Sequence, residues 1–379
     1  MTAEEINPKT INKGLTHILE QFARQRKEYE ATKLKCGLVG RSGVGKSSLI
    51  NAITGDKLAK VGAGKETTIE AHEYFHRGLV LVDLPGCGTE KFPTSDYVRK
   101  LKLSSYDFFI FATELRFFQD DKTIYTQLVN DLKKPCFLVR NKFDQAVGDA
   151  EHDGSGMTED ELKDDISRNI RENLAPLQID KVYMVSARRP AHYDLPALLD
   201  DIRSAFVGMK RLRLENDLAA WSTDALDRKR DNAMKITSWY ASAAALNGLN
   251  PIPGLDVTVD LAILKQLCRE VAEIYSLTPE QADYWGGMLK GPHGRAILQK
   301  AVSLTLRYGS EAAITKILTT IGKREVPKAF AKYLPVVGPV MSAAAGFGLT
   351  FWFGKGLVDE YHEMATEILQ QLSSANEDT

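Results

Sequence analysis

Residues suited to phosphate binding lie together near the start of the chain. The segment Gly40-Arg-Ser-Gly-Val-Gly-Lys-Ser47 matches the pattern G-x-x-x-x-G-K-[ST]. It follows an apolar run, Leu34–Val39, and opens a helical stretch, Lys46–Thr54, which is the context that the pattern requires. The glycines let backbone N–H groups face a phosphate, and the helix N-terminus adds positive partial charge. The alternative is a chance glycine-rich turn, which the correctly placed strand and helix disfavour.

Individual roles follow from the chemistry of this loop. Lys46 is expected to reach the β- and γ-phosphates of a nucleotide, and the Ser47 hydroxyl to complete Mg²⁺ coordination. The predicted nucleotide contacts in this loop are Gly40, Arg41, Ser42, Gly43, Val44, Gly45, Lys46, Ser47 and Ser48.

A second segment could contact the phosphates and a metal ion. Asp83-Leu-Pro-Gly86 comes directly after the apolar run Leu79–Val82. A carboxylate at that strand end can hold Mg²⁺ through water, and the Gly86 N–H can contact a γ-phosphate. D-x-P-G alone is only a turn signal, but its place behind a second buried strand favours the phosphate interpretation.

A third segment, Asn141-Lys-Phe-Asp144, could recognise the base. It follows the apolar run Cys136–Val139. The Asp144 carboxylate can accept hydrogen bonds from the N1–H and the exocyclic amine of guanine, which adenine does not offer in that arrangement. Asn141 is expected either to contact the purine or to tie its loop to the phosphate loop, and the stem of Lys142 to cover the base plane. Guanine specificity is therefore predicted.

Two weaker signals complete the predicted site. Ser186-Ala187 ends the apolar run Val182–Val185, where a backbone N–H can donate to guanine O6. The polar loop Gly62–Thr68 lies where the first switch of a GTPase would be, although a plain surface loop is the alternative. One threonine hydroxyl there is expected to coordinate Mg²⁺, with Thr68 favoured over Thr67.

The catalytic group that positions water is not evident. No Gln follows Gly86 in the place where a Ras-like enzyme orients the attacking water. Hydrolysis by the isolated domain is therefore expected to be slow. The missing group could come from the first switch, from a second molecule or from an activator. Cys87 is expected to pack, since phosphoryl transfer to water needs no thiol.

The elements that position these segments alternate between strands and helices. Short apolar runs, typical of buried parallel strands, are separated by helical stretches such as Asp120–Lys133 and Thr158–Asn173. The runs are Leu34–Val39, Leu79–Val82, Phe108–Ala112, Cys136–Val139 and Val182–Val185. This alternation predicts an α/β domain with a doubly wound, mostly parallel sheet, here of the P-loop GTPase kind.

The rest of the chain has the pattern of helices. After Val207 the strand signal disappears, which predicts an all-α domain over 207–379, following a GTP-binding domain over 33–206. Residues 1–32 carry apolar residues at helical spacing, so a leading helix is expected to pack with the helical domain.

Composition limits the remaining possibilities. The chain has 379 residues, of which 44% are hydrophobic and 26% charged, as expected of a globular protein. The net charge of −1 gives no support for non-specific nucleic-acid binding, so no nucleic-acid partner is expected. The four cysteines are scattered without a C-x-x-C pair, which favours a reducing compartment over a disulfide or zinc framework. No signal peptide is expected.

Taken together, these segments resemble a known family. The motif set resembles the TRAFAC class of GTPases. Two further stretches, Tyr193-Asp-Leu-Pro-Ala-Leu198 and Asn250-Pro-Ile-Pro-Gly-Leu255 followed by Asp260, are similar to the immunity-related (interferon-inducible) GTPases, which are dynamin-like. The order of a leading helix, a G domain and a helical half agrees, so the resemblance covers nearly the whole chain.

The resemblance implies a function and one further residue role. Members bind GTP, dimerise or oligomerise through their G domains, hydrolyse GTP faster in that state and act at intracellular membranes, including pathogen vacuoles. The Glu of the Glu-Thr-Thr segment is implicated in hydrolysis across the dimer, a role that would fall on Glu66. Lys46 indicates the Gly-Lys-Ser subgroup. Thr2 replaces a lipid-bearing glycine of some relatives, so that anchor is not expected, and Asn141 replaces a common Thr.

Membrane contact is a separate question. Two stretches without charge, Ile236–Leu255 and Tyr333–Gly354, contain Pro, Gly or Asn residues that interrupt a potential span. We favour buried helices of a bundle over membrane-inserting hairpins. The basic clusters Lys210–Arg213 and Arg228–Arg230 fit a solvated helix face, with anionic lipid contact as the alternative.

The resulting hypothesis is a Mg²⁺-dependent GTPase that binds GTP and GDP. It would pair through its G domain and act in the cytoplasm, with peripheral membrane association in the GTP state. The alternative is a nucleotide-gated scaffold or regulator with negligible turnover. The predicted catalytic residues are Lys46, Glu66, Thr68 and Gly86, and the predicted metal ligands are Ser47, Thr68 and Asp83.

Overall fold

The computed structural model describes residues 8–60, 70–88, 90–113, 118–249, 256–289, 291–310, 312–316 and 339–374. Contacts divide the chain into two units. One unit contains Thr32–Ser222 with the chain end from Leu372, and the other joins the segment ending at Ala31 to Thr223–Gln371. The first is called the sheet unit and the second the helical unit.

Six strands and several helices form the sheet unit. The strands are β1 (Leu34–Val39), β2 (His72–His76), β3 (Leu79–Asp83), β4 (Phe108–Thr113), β5 (Cys136–Arg140) and β6 (Val182–Met184). The first described helix, α1 (Pro8–Ala31), belongs to the helical unit. The described helices of the sheet unit are α2 (Lys46–Thr54), α3 (Tyr97–Lys100), α4 (Gln119–Thr126), α5 (Phe143–His152), α6 (Glu159–Leu174), α7 (Leu195–Ser204) and α8 (Gly208–Asp217).

The strands form one sheet in the order β2-β3-β1-β4-β5-β6, and every pair except β2–β3 is parallel. This confirms the predicted α/β fold with a mostly parallel sheet. Strand β4 is buried along its whole length, as helices on both faces of a parallel sheet require. The carboxyl ends of β1, β3, β5 and β6 meet at one edge, which brings the segments that follow them together.

The sheet unit extends beyond the predicted boundary at Phe206. The Trp221 indole N–H donates to the Ala52 carbonyl oxygen at 2.9 Å. On α8, Asp217 accepts from the Gly78 N–H and from Arg213 Nε, at 2.9 and 2.8 Å. These buried contacts attach residues 207–222 to the sheet, so the division falls at Ser222.

The helical unit contains elements from both ends of the chain. After α1 its described helices are α9 (Thr223–Leu249), α10 (Asp256–Ile274), α11 (Ala282–Met288), α12 (Gly291–Gly309) and α13 (Pro339–Ser374). Helix α1 packs on α9, where Tyr29 and Trp239 have ring centroids 5.6 Å apart and the Trp239 indole N–H donates to Gln25 at 3.2 Å.

The uncharged stretches are mostly buried where they are described, with Trp352 as an exposed exception. Ile236 and Trp239 on α9 and Phe353 on α13 are each 1% exposed. Residues 250–255 and 333–338 of these stretches lie outside the described residues. Within the described part of the chain, none of the helices has the length and apolar character needed to cross a bilayer.

Candidate functional site

The loop between β1 and α2 has the backbone of a phosphate cradle. Gly40, Gly43 and Gly45 have φ values of 146°, 89° and 86°, which side-chain-bearing residues rarely adopt. At Gly40 an added Cβ would also collide with the Ala112 carbonyl oxygen. At Gly45 it would lie 2.5 Å from Asn141 Nδ2. Glycine is therefore required at the first and last of these positions for both conformation and space.

Lys46 points back into this loop. Its Nζ donates to the carbonyl oxygens of Gly40 and Arg41, at 3.0 and 3.2 Å, and lies 3.6 Å from Asp83 Oδ1. The side chain is buried, and burial lowers the pKa of Lys46 while Asp83 opposes that shift. The ammonium is thus held at the mouth of the cradle, where phosphate oxygens would be better acceptors than carbonyl oxygens.

Ser47 and Asp83 offer an oxygen-rich site for a cation. The Ser47 hydroxyl donates to Asp83 Oδ2 at 2.9 Å. The other carboxylate oxygen, Asp83 Oδ1, is buried and makes no hydrogen bond. A hydroxyl and a carboxylate whose buried Oδ1 makes no hydrogen bond form the kind of hard donor set that Mg²⁺ prefers. The residues present therefore fit the predicted ion.

The segment after β3 lies against the phosphate loop. A Cβ added at Gly86 would be 3.7 Å from the Ser42 nitrogen and 3.9 Å from the Arg41 Cα. The next residue, Cys87, is buried with its Sγ 3.8 Å from Asp121 Oδ1. Burial raises the pKa of Cys87 to about 12, so its thiol is neutral at physiological pH and acts as a packing group.

Asn141 connects the predicted base-reading loop to the phosphate loop. Its Nδ2 donates to the Val44 carbonyl oxygen at 2.8 Å, and its own N–H donates to Thr113 at 2.9 Å. The sequence left two roles open for Asn141, contact with the purine or a tie between its loop and the phosphate loop. The hydrogen bond to Val44 is that tie. Lys142 has φ of 56°, and its Cε lies 3.8 Å from the Cβ position at Gly45. Its stem therefore runs beside the phosphate loop.

Asp144 and the Ser186 turn occupy neighbouring strand ends. Asp144 is half-buried in the first turn of α5, and the Phe143 N–H before it donates to the Val185 carbonyl oxygen at 3.0 Å. The buried Ser186 hydroxyl accepts from the backbone N–H of Arg188 and Arg189, both at 3.2 Å. Ala187 is half-buried in the same turn.

The predicted first switch falls in a part of the chain that the structure does not describe. Glu66, Thr67 and Thr68 lie outside the described residues, as does the rest of 61–69.

The phosphate loop also contacts the start of α4, and none of the sequence motifs predicts this contact. The Arg41 guanidinium carbon lies 3.5 Å from the centroid of the Phe118 ring, and Arg41 Nε is 3.4 Å from Asp121 Oδ2. Asp121 also accepts from the Phe118 N–H at 3.0 Å. Phe118 remains 43% exposed beside the nucleotide loop. In the sequence, the only sign of this contact is that Asp121 is an acidic residue in the first turn of a predicted helix.

Comparisons with known proteins identify a family for this chain. The family model described as interferon-inducible GTPase matches residues 2–277. Interferon-inducible GTPase 5 of Bos taurus is 26% identical over 371 residues, covering 92% of this chain and 77% of that protein. Interferon-inducible GTPase 1 of Mus musculus is 33% identical over 247 residues, covering 62% of this chain and 58% of that protein. The solved structure of Aquifex aeolicus Era with GDP and AlF4⁻ aligns with a TM-score of 0.33 and 19% identity, covering 55% of this chain and 66% of that one.

The family match covers most of the chain and includes Thr32–Ser222, the segment that carries the whole sheet. A mostly parallel sheet ends in a glycine loop with its buried lysine, a strand-end aspartate and an Asn-Lys-Phe-Asp loop. The chain therefore belongs to the interferon-inducible GTPase family and is a GTPase.

Proposed function

We propose that this chain hydrolyses GTP to GDP and phosphate in a Mg²⁺-dependent reaction at the loop between β1 and α2. The observation that carries the proposal is the position of Lys46 Nζ, inside the glycine loop and 3.6 Å from Asp83 Oδ1. A buried ammonium beside a strand-end carboxylate provides one group for phosphate oxygens and one for a metal ion.

Each residue of the site has a part in this reaction. Lys46 binds the β- and γ-phosphates and stabilises charge that builds up on them. Ser47 and Asp83, with Thr68 proposed as the third, would hold Mg²⁺, which supplies further positive charge to the same oxygens. Gly86 would donate its N–H to the γ-phosphate, and Glu66 would assist the attacking water.

Base specificity is assigned to the loop Asn141–Asp144 and the turn at Ser186–Ala187. Asp144 would accept from N1–H and the 2-amino group of guanine, and a backbone N–H of the turn would donate to O6. Three polar contacts on one base edge give strong discrimination, because a wrong base leaves buried groups unpaired.

The test of this function compares Lys46→Ala with Lys35→Ala. Lys35 lies on β1, where it pairs with Glu73 at 2.5 Å. We expect Lys46→Ala to abolish measurable GTP binding and turnover, and Lys35→Ala to retain both. Unchanged turnover in Lys46→Ala would overturn the proposal.

Self-association through the sheet unit is the second part of the proposal. Phe118 exposes an aromatic ring next to the phosphate loop, and Arg41 covers one face of that ring. Aromatic and arginine side chains are enriched in protein interfaces. Turnover per molecule should therefore rise with protein concentration, and Phe118→Ala should weaken that rise. Phe75→Ala removes a 70% exposed ring from the edge strand β2 and is the control.

The alternative function, a nucleotide-gated scaffold with negligible turnover, is favoured by Cys87. This buried thiol lies just after Gly86, where a water-positioning side chain would be needed. A flat, near-zero turnover at all protein concentrations, together with tight GTP binding, would support the scaffold.

We also propose a cytoplasmic protein that contacts an intracellular membrane peripherally when GTP is bound, in cell-autonomous defence. The basic clusters contribute little to this, because Lys210 pairs with Asp107, Arg213 with Asp217 and Arg230 with Asp359. Trp352 on α13 is 45% exposed, and an indole suits a membrane interface. Co-sedimentation with anionic liposomes should require GTP and should fall in Trp352→Ala; equal sedimentation without nucleotide would contradict the proposal.

A further inference from the structure

Tyr193 and Asp194 contact the segments that carry the two loops proposed to read the base. They follow the turn at Ser186–Ala187 and precede α7, whose N-cap is Asp194. The Tyr193 side chain is 7% exposed, so its contacts are made inside the sheet unit. None of the nucleotide motifs includes either residue.

On one side, Tyr193 packs against the base-reading loop. Its ring meets the Phe143 ring edge to face, with centroids 5.1 Å apart and planes at 87°. Phe143 is fully buried and stands between Lys142 and Asp144. A rigid ring contact at Phe143 therefore fixes the backbone position from which Asp144 projects.

On the other side, the same pair of residues holds the turn at Ser186. The Tyr193 ring meets the His192 ring edge to face, with centroids 4.6 Å apart. The His192 N–H donates to the Arg189 carbonyl oxygen at 3.1 Å, and the Arg189 N–H donates to Ser186 Oγ at 3.2 Å. Asp194 exchanges two hydrogen bonds with Met184, accepting from its N–H at 2.9 Å and donating to its carbonyl oxygen at 2.8 Å. Asp194 thus joins the end of β6 to the start of α7, and Tyr193 packs on the turn between them through His192.

We propose that Tyr193 and Asp194 are positioning residues that set the distance between Asp144 and the backbone N–H groups at Ser186–Ala187. Guanine presents N1–H, the 2-amino group and O6 along one edge, so both loops must meet that edge at once. If the loops moved independently, contact with one would no longer align the other, and selectivity would fall more than phosphate binding. This inference rests on the proposed guanine site.

The experiment measures the affinity of the full chain for GDP, IDP and ADP with Mg²⁺ present, in the parent and in Tyr193→Leu. IDP lacks the 2-amino group and would donate fewer hydrogen bonds to Asp144. Its affinity should therefore fall less than that of GDP when Asp144 is displaced. We expect GDP affinity to fall about tenfold, IDP affinity to fall less, and the ratio of the two affinities to decrease several-fold, as loss of a charged hydrogen bond predicts.

The chain contains a matched control for this variant. Tyr125 on α4 is 6% exposed and meets Phe111 edge to face, with centroids 5.6 Å apart and planes at 85°. Tyr125→Leu removes the same kind of contact elsewhere in the sheet unit. It should lower the thermal midpoint while leaving the GDP-to-IDP ratio at the parent value.

A second variant separates positioning from folding. Phe143→Leu removes the ring contact from the other side, and the double variant with Tyr193→Leu should lower the ratio no further than either single variant. Tyr193→Phe keeps the ring and should keep most of the ratio. If Tyr193→Leu does not fold, Phe143→Leu and Tyr193→Phe still test whether the ring contact sets the GDP-to-IDP affinity ratio.

Two outcomes would overturn the inference. One is an equal loss of GDP and IDP affinity in Tyr193→Leu, and the other is an equal change of ratio in Tyr125→Leu. If the parent binds ADP as well as GDP, the guanine site itself fails, and the inference fails with it. A parent that discriminates, with a variant ratio that does not move, overturns the positioning role alone.

Discussion

The Asn141 amide nitrogen lies 2.8 Å from the Val44 carbonyl oxygen, so one side-chain hydrogen bond joins the base-reading loop to the phosphate loop across 97 residues of chain. Asn141 is 1% exposed, and its second polar atom, Oδ1, is buried without a partner among the described residues. The nucleotide binding proposed at either loop would therefore depend on the same buried amide.

Asn141→Ala should weaken both stability and binding. The Val44 carbonyl oxygen would lose a buried donor, at a cost of about 1–3 kcal/mol in the free energy of unfolding. Denaturant unfolding and GDP affinity measure the two effects. Asn173→Ala is the control, because Asn173 makes its hydrogen bond to Asn169 on an exposed helix face. Equal effects of both substitutions would contradict the role of the tie.

Asp144→Asn should change the preferred base. An Asn side chain offers an N–H donor where the carboxylate offered acceptors, and xanthine carries a 2-oxo group where guanine has its amine. GTP affinity should fall about 100-fold while XTP affinity rises, since each charged hydrogen bond contributes about 1.5–3 kcal/mol. Competition binding with both nucleotides measures the switch. Asp149→Asn, exposed on the same helix, should leave the preference unchanged.

Gly40→Ala and Gly43→Ala should differ in severity. Both positions have positive φ, but at Gly40 a Cβ also collides with the Ala112 carbonyl oxygen, whereas at Gly43 no atom lies within 4 Å. Backbone strain alone costs about 1–3 kcal/mol, so Gly43→Ala should remain folded with reduced stability. Gly40→Ala should lose more stability and GDP binding. Equal losses on thermal unfolding would show that space at Gly40 is not limiting.

Cys87→Ala should flatten the decline of stability in alkali. The pKa of Cys87 is raised by burial to about 12, above its value of about 8.5 in an unfolded chain. Its contribution is therefore complete below pH 8.5 and is lost as the pH rises toward 12. Between pH 8.5 and 10 the parent should lose about 1–2 kcal/mol more than Cys87→Ala in the free energy of unfolding. Identical slopes in denaturant titrations would contradict this account.

Most of the sheet could be predicted because its strands are buried on both faces. The five apolar runs each correspond to a parallel strand, whereas β2 was missed. Strand β2, His72-Glu-Tyr-Phe-His76, is mostly exposed and pairs with β3 alone among the described strands, so no apolar run marks it in the sequence. The extent of the sheet unit was also missed, because the polar helix α8 carries its buried ion pairs at residues that look solvated in the sequence.

The part of the candidate site that could be predicted from the sequence consists of the residues within recognisable motifs. The motifs give residue types and order, and parallel strands bring Gly40, Asp83, Asn141 and Ser186 to one edge of the sheet. Contacts between distant segments, such as Arg41 with Phe118, depend on tertiary packing that no local pattern encodes. The same limitation explains why Tyr193 was noted only as part of a family-like segment.

The packing of α1 on α9 has a consequence for how the protein is made. Gln25 and Trp239, which share a hydrogen bond, are 214 residues apart, and all six strands of the sheet are synthesised between them. On the ribosome, α1 therefore emerges before the sheet segment Thr32–Ser222, and its partner helix α9 emerges only after that segment can fold. The contact between α1 and α9 must form after synthesis of the intervening segment, so the core of the helical unit is completed late.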